Sequence, residues 1–201
     1  MGVVSILYDQ VILAAGKSSR MGFPKGLLQT PGGDNFILAR SVRAREAGAR
    51  KSILVLGFHR KKILEEIKPL PPHLEVVINP KPGRGQTGSF KCALEKVDYT
   101  PPVLMELVDQ PPLVSGTYAD YISRTGDDKI NIPLYRDRRG HPPLFPGWFL
   151  EQVQEMPVDR GINSLYSEYS DRIQQVPVND PRVLLDLDTP ADYEKYREKF
   201  G

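Results

Sequence analysis

Short apolar runs alternate with segments of helical period along the first two thirds of this chain, and that alternation restricts the fold more than any other feature. Gln10–Ala15, Ser52–Leu56, Leu74–Ile78 and Val103–Val108 predict buried strands. Between and after them, Asn35–Ala47, Arg60–Ile67, Gly88–Lys96 and Thr117–Arg124 predict helices. Asp34 is placed to cap the first of these and Gly48 to stop it, and Ser115 is placed to cap the last. Strand–helix alternation implies βαβ units and a mostly parallel sheet covered on both faces, a single-domain, three-layer α/β/α Rossmann-like fold. Right-handed crossovers then bring the strand C-termini to one edge, where ligands of such sheets bind.

The second half is less regular. Ile130–Leu134 and Ile173–Val178 predict strands, and the prolines around Pro133–Pro146 suggest an accessory loop region. Thr189-Pro190-Ala191-Asp192 has a capping hydroxyl, a proline suited to the first helical position and an acid in the first turn, so a last helix should run to about Phe200.

Bulk properties narrow the partners. With 27 basic and 25 acidic residues, the chain has no overall drive toward nucleic acid or an anionic membrane, so an anion site must be local. The single cysteine, Cys92, allows no intrachain disulfide and suits a helix as an apolar filler. No apolar run approaches the roughly 20 residues of a membrane span. The N-terminus lacks a signal-peptide pattern, and Ile6 stands where an acylation motif beginning at Met1-Gly2 wants Ser or Thr. A cytoplasmic protein is expected. His59 and His73 have no partner pattern and are expected at the surface.

Five segments carry chemistry. Leu13-Ala14-Ala15-Gly16-Lys17-Ser18-Ser19-Arg20-Met21-Gly22-Phe23-Pro24-Lys25 follows the first strand. Small residues let its backbone approach phosphate oxygens, and Arg20 and Lys25, read as exposed cations, add separated charge. No Gly-Lys-Ser/Thr closes it, so it is not a P-loop. Asp109, in Val108-Asp109-Gln110-Pro111-Pro112, follows an apolar strand at the ligand edge. A carboxylate beside a triphosphate suits Mg²⁺, although it also suits a turn cap. Leu185-Asp186-Leu187-Asp188-Thr189-Pro190 puts Asp186 and Asp188 on one side of an extended stretch, as metal ligands or as helix-terminal acids. Gly83-Arg84-Gly85-Gln86-Thr87-Gly88 matches a dinucleotide fingerprint literally, with Asp109 following, but Asn79-Pro80-Lys81-Pro82 intervenes where that fingerprint needs a tight turn. Arg136-Asp137-Arg138-Arg139-Gly140-His141-Pro142-Pro143-Leu144-Phe145 could hold an anionic acceptor or be a solvated basic loop.

The first segment resembles the signature loop of nucleotidyltransferases with the glycosyltransferase-A-like fold: Leu-Ala-Ala-Gly-x-Ser-x-Arg-Met-Gly-x-x-Lys is matched position by position. The likeness is strongest to the molybdenum cofactor cytidylyltransferase branch of the MobA-like NTP transferases and spans roughly Gln10 to Tyr196. It implies transfer of NMP, CMP above all, from an NTP to a small phosphorylated acceptor such as molybdopterin, with Mg²⁺ and release of pyrophosphate. It implies an NTP half over about 10–115 and an acceptor half over about 116–201. By resemblance, Leu13, Ala14, Ala15, Gly16, Ser18 and Lys25 hold the nucleotide, and Arg20, Lys25 and Asp109 are catalytic. Asn79, Gly85, Gln86 and Ser89 lie near the base, from a Gly-x-x-x-Ser pattern. Asp109 and Asp188 hold the metal, with Asp186 as rival to the second. Arg139 and His141 meet the acceptor, His141 as a positioning hydrogen-bonder. Asp159-Arg160-Gly161 matches too, without a role. Three departures stand out: Gly26 where a larger apolar residue is common, Val108 where Gly is frequent, and the Met1–Tyr8 stretch, an unusual extension that could join the first strand. Two other classes stay open, an NAD(P)-dependent oxidoreductase using Gly83–Gly88 and a non-catalytic nucleotide binder.

Overall fold

The computed structural model describes residues 6–201; the Met1-Gly2 motif and most of the Met1–Tyr8 extension lie outside the described residues. Four strands, β1 (Tyr8–Ala14), β2 (Ala49–Leu56), β3 (Leu74–Ile78) and β4 (Val103–Leu107), run parallel in the order β3-β2-β1-β4. Beyond β4 the sheet continues through β7 (Leu144–Phe145), antiparallel to both its neighbours, to β5 (Ile130–Tyr135). On β5 pair β6 (Arg138–Arg139), antiparallel, and β8 (Ile173–Pro177), parallel. The result is an eight-stranded, mostly parallel sheet.

Alternation along the strands separates the two helical layers, as period 2 requires. Val11, Leu13, Ile53 and Val55 face one core with Phe90, Phe145 and Phe149. Ile12, Ala14, Leu54 and Leu56 face the other with Ile37, Ile63 and Ile67. On the first side lie α3 (Gly85–Leu94) and α5 (Gly147–Glu155); on the second lie α1 (Phe36–Glu46) and α2 (Arg60–Glu66). The helix α4 (Ser115–Ser123) buries Tyr118, Tyr121 and Ile122 beside α1. A single-turn helix, α6 (Leu165–Glu168), and the last helix, α7 (Pro190–Phe200), complete the chain. A reciprocal capping box between Thr189 and Asp192 starts α7, and Tyr196 packs edge-on against Phe36 of α1 at 5.8 Å. That contact fixes the segment just before Thr189 over the sheet edge.

Several local expectations shift. Asn35, not Asp34, caps α1: its side chain accepts from the Leu38 N–H at 2.9 Å, while the Asp34 carbonyl is engaged by Thr30 N. Ser115 is already helical and Val114 holds the cap position, because the Ser115 hydroxyl is drawn to the Glu46 carboxylate. Helix α3 begins three residues before Gly88, at Gly85, whose φ of 79° is open to glycine and strained for other residues. The region Pro133–Pro146 is not merely loop, since β6 and β7 fold back on β5 and complete the sheet. His59 and His73 are half-buried, each ring bonded to a backbone carbonyl, of Lys17 and of Ser41. Cys92 is half-buried against the core, where burial raises its thiol pKa.

Gly26 and Val108 are neighbours in space, but the clash that a side chain on Gly26 would meet is with Ile37. A Cβ there would stand 2.6 Å from Ile37 Cδ1, and at 3.5 Å from Val108 Cγ1 it would make only an ordinary contact, so the small residue makes room for Ile37. Overpacking a filled core costs about 1–3 kcal/mol. Gly26→Ala should therefore lower the unfolding free energy by about that much in denaturant titration, and Ile37→Val, which deletes the clashing Cδ1, should recover part of it in the double mutant. Additive losses in the cycle would show that Gly26 answers to something other than this contact.

Candidate active site

Every group at the site stands at the C-terminal edge of the parallel strands. The loop after β1 turns through Ser18, which has a φ of 49°; its carbonyl accepts from Met21 N and Gly22 N, and its hydroxyl from Lys25 N at 3.3 Å. This turn, the end of β4 and the N-terminus of α3 enclose a cleft of about 310 Å³. Leu13, Ala15, Gly16, Lys17, Ser18 and Arg20 line one wall, and Lys25, Asp109, Asp188, Gly85, Gln86 and Ser89 contribute as well. No side chain caps α3, so its first amides and the positive end of its dipole are left for an anion.

A second cavity, of about 620 Å³, adjoins the first and shares Arg20, Gly85, Gln86, Leu107, Asp109 and Asp188 with it. Its far side is made by His141 and by the segment from Val158 to Asn163, held in place by a hydrogen bond from Thr87 Oγ1 to the Arg160 carbonyl at 2.7 Å.

The acids are joined through backbone and charge. Leu187 N donates to the Asp109 carbonyl at 2.6 Å, which sets the Asp186–Asp188 stretch beside the end of β4. Asp188 accepts from Lys25 Nζ at 2.7 Å and pairs with Arg20 at 3.0 Å, and the Lys25 bond holds its carboxyl below the ordinary range. Lys25 is only 8% exposed, so the sequence expectation of a solvated ammonium is corrected: its stem is buried against the cleft floor and its head is paired. Asp186 is exposed and takes a hydrogen bond from Gln110 Nε2 at 3.2 Å.

Among the described residues three buried side-chain atoms lack a hydrogen-bond partner, and two of them, Asp109 Oδ1 and His141 Nδ1, belong to residues lining the second cavity. Buried polar atoms left unpaired within the protein are places where a ligand or an ordered water can supply the missing bond. Burial pushes the Asp109 carboxyl up, the Lys25 ammonium partly offsets that, and Asp186 adds to the rise. Burial also holds the His141 imidazole below its usual range, against the pull of Asp186 and Asp109, which keeps it neutral near pH 7 and able to position rather than carry charge.

Three residues proposed from sequence stand elsewhere. Ala14 turns its side chain into the core on the opposite face of β1. Asn79 is buried behind the cleft, donating to Ser89 Oγ at 3.1 Å and accepting from Lys81 N, so it holds the wall instead of lining it. Arg139 is exposed on β6 and lines neither cavity, although its charge bears on Tyr166, which lines the second. Conversely, Gln110, Arg160 and Tyr166 line the second cavity without an assigned role in the sequence; Arg160 sat in a recognised motif, whereas Tyr166 comes from a helix too short to leave a pattern.

The dinucleotide reading fails on topology. A fingerprint places its acid on the strand beside the one feeding the glycine turn, but β4 is separated from β3 by β2 and β1. Asp109 instead faces the loop after β1.

A glycine-rich turn with two cations, opposed by carboxylates at the edge of a mostly parallel sheet, defines a nucleotidyltransferase. Residues 10–173 match the MobA-like NTP transferase domain, and the chain belongs to that family. The molybdenum cofactor cytidylyltransferase of Escherichia coli is 29% identical over 195 residues, covering 96% of each chain. A probable molybdenum cofactor guanylyltransferase of Rhodopirellula baltica is 27% identical, covering 90% of this chain and 88% of its own. The solved structure of Rv0371c from Mycobacterium tuberculosis superposes with a TM-score of 0.80 at 27% identity, over 96% of this chain and 98% of that one; a second structure of that protein is a complex with manganese. Among the described residues no helix is long and apolar enough to cross a membrane.

The Asp109 carboxylate also predicts a stability signature. A raised carboxyl pKa means that the native state holds its proton more tightly than the unfolded state, so this contribution is present at low pH and is lost as pH rises through the folded pKa. Asp109→Asn should therefore raise the Tm of the free protein most at pH 7–8, with the gain shrinking toward acid pH. A uniform loss at every pH would show that the charged form is satisfied in the native state.

Proposed function

We propose that this protein transfers NMP, with CMP favoured, from an NTP to a small phosphorylated acceptor and releases pyrophosphate, with molybdopterin as the acceptor the relatives suggest. The observation that carries the reading is the pair of adjoining cavities sharing Asp109, Asp188 and Arg20, one bearing a phosphate-type loop and the other an unpaired imidazole. The NTP half comprises about residues 10–115 and the acceptor half about 116–201.

An acceptor phosphate oxygen attacks the α-phosphorus in line; the new O–P bond forms as the bond to the β-phosphate oxygen breaks, and pyrophosphate departs with the electron pair. Leu13, Ala15, Gly16 and Ser18 hold the phosphates through close backbone approach. Arg20 and Lys25 exchange their pairing with Asp188 for the phosphate oxygens and meet the charge that builds on the leaving group. Gly85, Gln86 and Ser89 face the base. Neutral His141 positions the acceptor through Nδ1, and the arginines beside it, Arg160 among them, attract its phosphate.

Asp109 and Asp188 are the residues that would hold Mg²⁺. Among the described residues no group of three or more His, Cys, Asp or Glu is arranged to hold a metal. The orphaned Asp109 oxygen and the chemistry of two carboxylates still fit Mg²⁺, which is bound by one or two carboxylates completed by phosphate oxygens and water. Bound there, the ion would supply positive charge that offsets the negative charge developing on the transferred phosphoryl group.

The test is a pyrophosphate-release screen of CTP, GTP, ATP and UTP against phosphorylated acceptors, with Mg²⁺ or Mn²⁺. Binding of an NTP without release against any acceptor would leave a nucleotide-binding protein instead. Within the active pair, Lys25→Ala should lower turnover by roughly two to three powers of ten, with a smaller fall in NTP affinity. Because Lys25 is buried and paired, its loss should also lower Tm modestly, and Lys25→Arg should rescue turnover only in part, since a planar fork does not reproduce a compact charge. Near-normal turnover in Lys25→Ala would remove the loop from the chemistry.

A further inference from the structure

A charged network lies wholly inside the protein beneath the Asp109 turn. Arg40, on α1, is 1% exposed and Glu106, on β4, is 3% exposed, and they pair at 3.3 Å. Glu106 also accepts from Gln10 Nε2 and from the Tyr118 hydroxyl. The guanidinium spends its other donors on backbone: Nε on the Phe36 carbonyl at 3.1 Å, Nη1 on the Leu107 carbonyl at 3.1 Å, and Nη2 on the Gln110 carbonyl at 2.7 Å. Leu107 and Gln110 bracket the turn that carries Asp109, and Gln110 N closes it on the Leu107 carbonyl at 3.2 Å. One turn further along α1, Arg43 holds the Leu113 carbonyl at 3.0 Å and extends the grip downstream.

A buried ion pair is a weak source of stability, because the desolvation of two ions offsets their attraction and an apolar pair of similar size often serves as well. Its use here must lie in geometry. The Asp109 carboxylate is held with an oxygen buried and unpartnered, an arrangement that a loose turn would relax by rotating the carboxylate into water. A planar fork with two diverging donors can fix both flanking carbonyls at once, which a lysine ammonium on a single stem does not.

We infer that Arg40 is a positioning residue: its guanidinium, neutralised by Glu106, clamps the carbonyls of Leu107 and Gln110 and so aims the Asp109 carboxylate into the cleft. The inference rests on the reading of Asp109 as a metal-holding group.

Two variants test it, with Mn²⁺ as the probe and its binding in the presence of each NTP followed by electron paramagnetic resonance. Arg40→Lys keeps the charge opposite Glu106 but loses the fork. Arg40→Met combined with Glu106→Gln removes both charges while leaving Tyr118 an acceptor. In each, Mn²⁺ affinity should fall roughly 10- to 100-fold, as for other groups that orient a metal ligand. NTP affinity without metal should change less than twofold, because the loop after β1 is untouched. A purely structural arginine would lower Tm and leave Mn²⁺ affinity of the folded protein intact. Mn²⁺ affinity within twofold of wild type in either folded variant overturns the inference, as does failure of both to fold. If wild type binds Mn²⁺ with NTP but releases no pyrophosphate, the transferase reading falls while the Mn²⁺ comparison still decides the role of Arg40. A wild type that binds no Mn²⁺ with any NTP overturns both.

Discussion

The bond from Lys25 to Asp188, at 2.7 Å, joins residues 163 positions apart and holds the two ends of the site together. It forms at the mouth of the sheet, where a triphosphate would bring several negative charges, and it leaves the free protein locally balanced. Arg20 completes the same balance from the solvent side. The two cations suited to phosphate are thus kept in place by an acid suited to a metal. Helix α7 depends on this region and supports it in turn: its capping box begins at the residue after Asp188, and its Tyr196 is seated on Phe36.

The distribution of unsatisfied groups follows from the same constraint. Most buried polar atoms are paired, including the interior cluster of Gln10, Arg40, Ser52, Glu106 and Tyr118. The exceptions at Asp109 and His141 stand around one cavity. A fold that pairs a fully buried arginine with four acceptors, yet leaves a carboxylate oxygen beside it without a donor, has concentrated its electrostatic cost where a ligand can relieve it. The two layers packed on the sheet are mainly apolar, with Phe90, Phe145 and Phe149 on one face and the isoleucines of α1 and α2 on the other.

Most of the parallel sheet is legible in the sequence alone, since β1 to β4 each carry a continuous apolar run bounded by turn residues. The accessory region was not. Two-residue strands such as β6 and β7 have no period to detect, and they exist because β4 and β5 present paired edges to them. The same limit applies to the second cavity, where Tyr166 and Asn163 come from short helical turns. Asn79 and Ala14 show the converse limit: a motif names a position, but backbone direction turned one side chain behind the wall and the other through the sheet.

The sequence by itself determined the layered α/β class, the glycine-bearing turn with its two cations from Leu13 to Lys25, and the identity of the acids at the strand ends, because apolar period, glycine placement and charge are local properties. Only the tertiary structure decided which of those groups meet. Asp188 was separated from Asp186 as the partner of Lys25 by one backbone bond, from Leu187 N to the Asp109 carbonyl. Lys25 turned out buried, Gly26 turned out to make room for Ile37, and Arg40, an unremarked residue in a predicted helix, lay under the Asp109 turn. Each of these outcomes depends on contacts between distant segments, and such contacts are set by packing of the whole core, which no window of sequence contains.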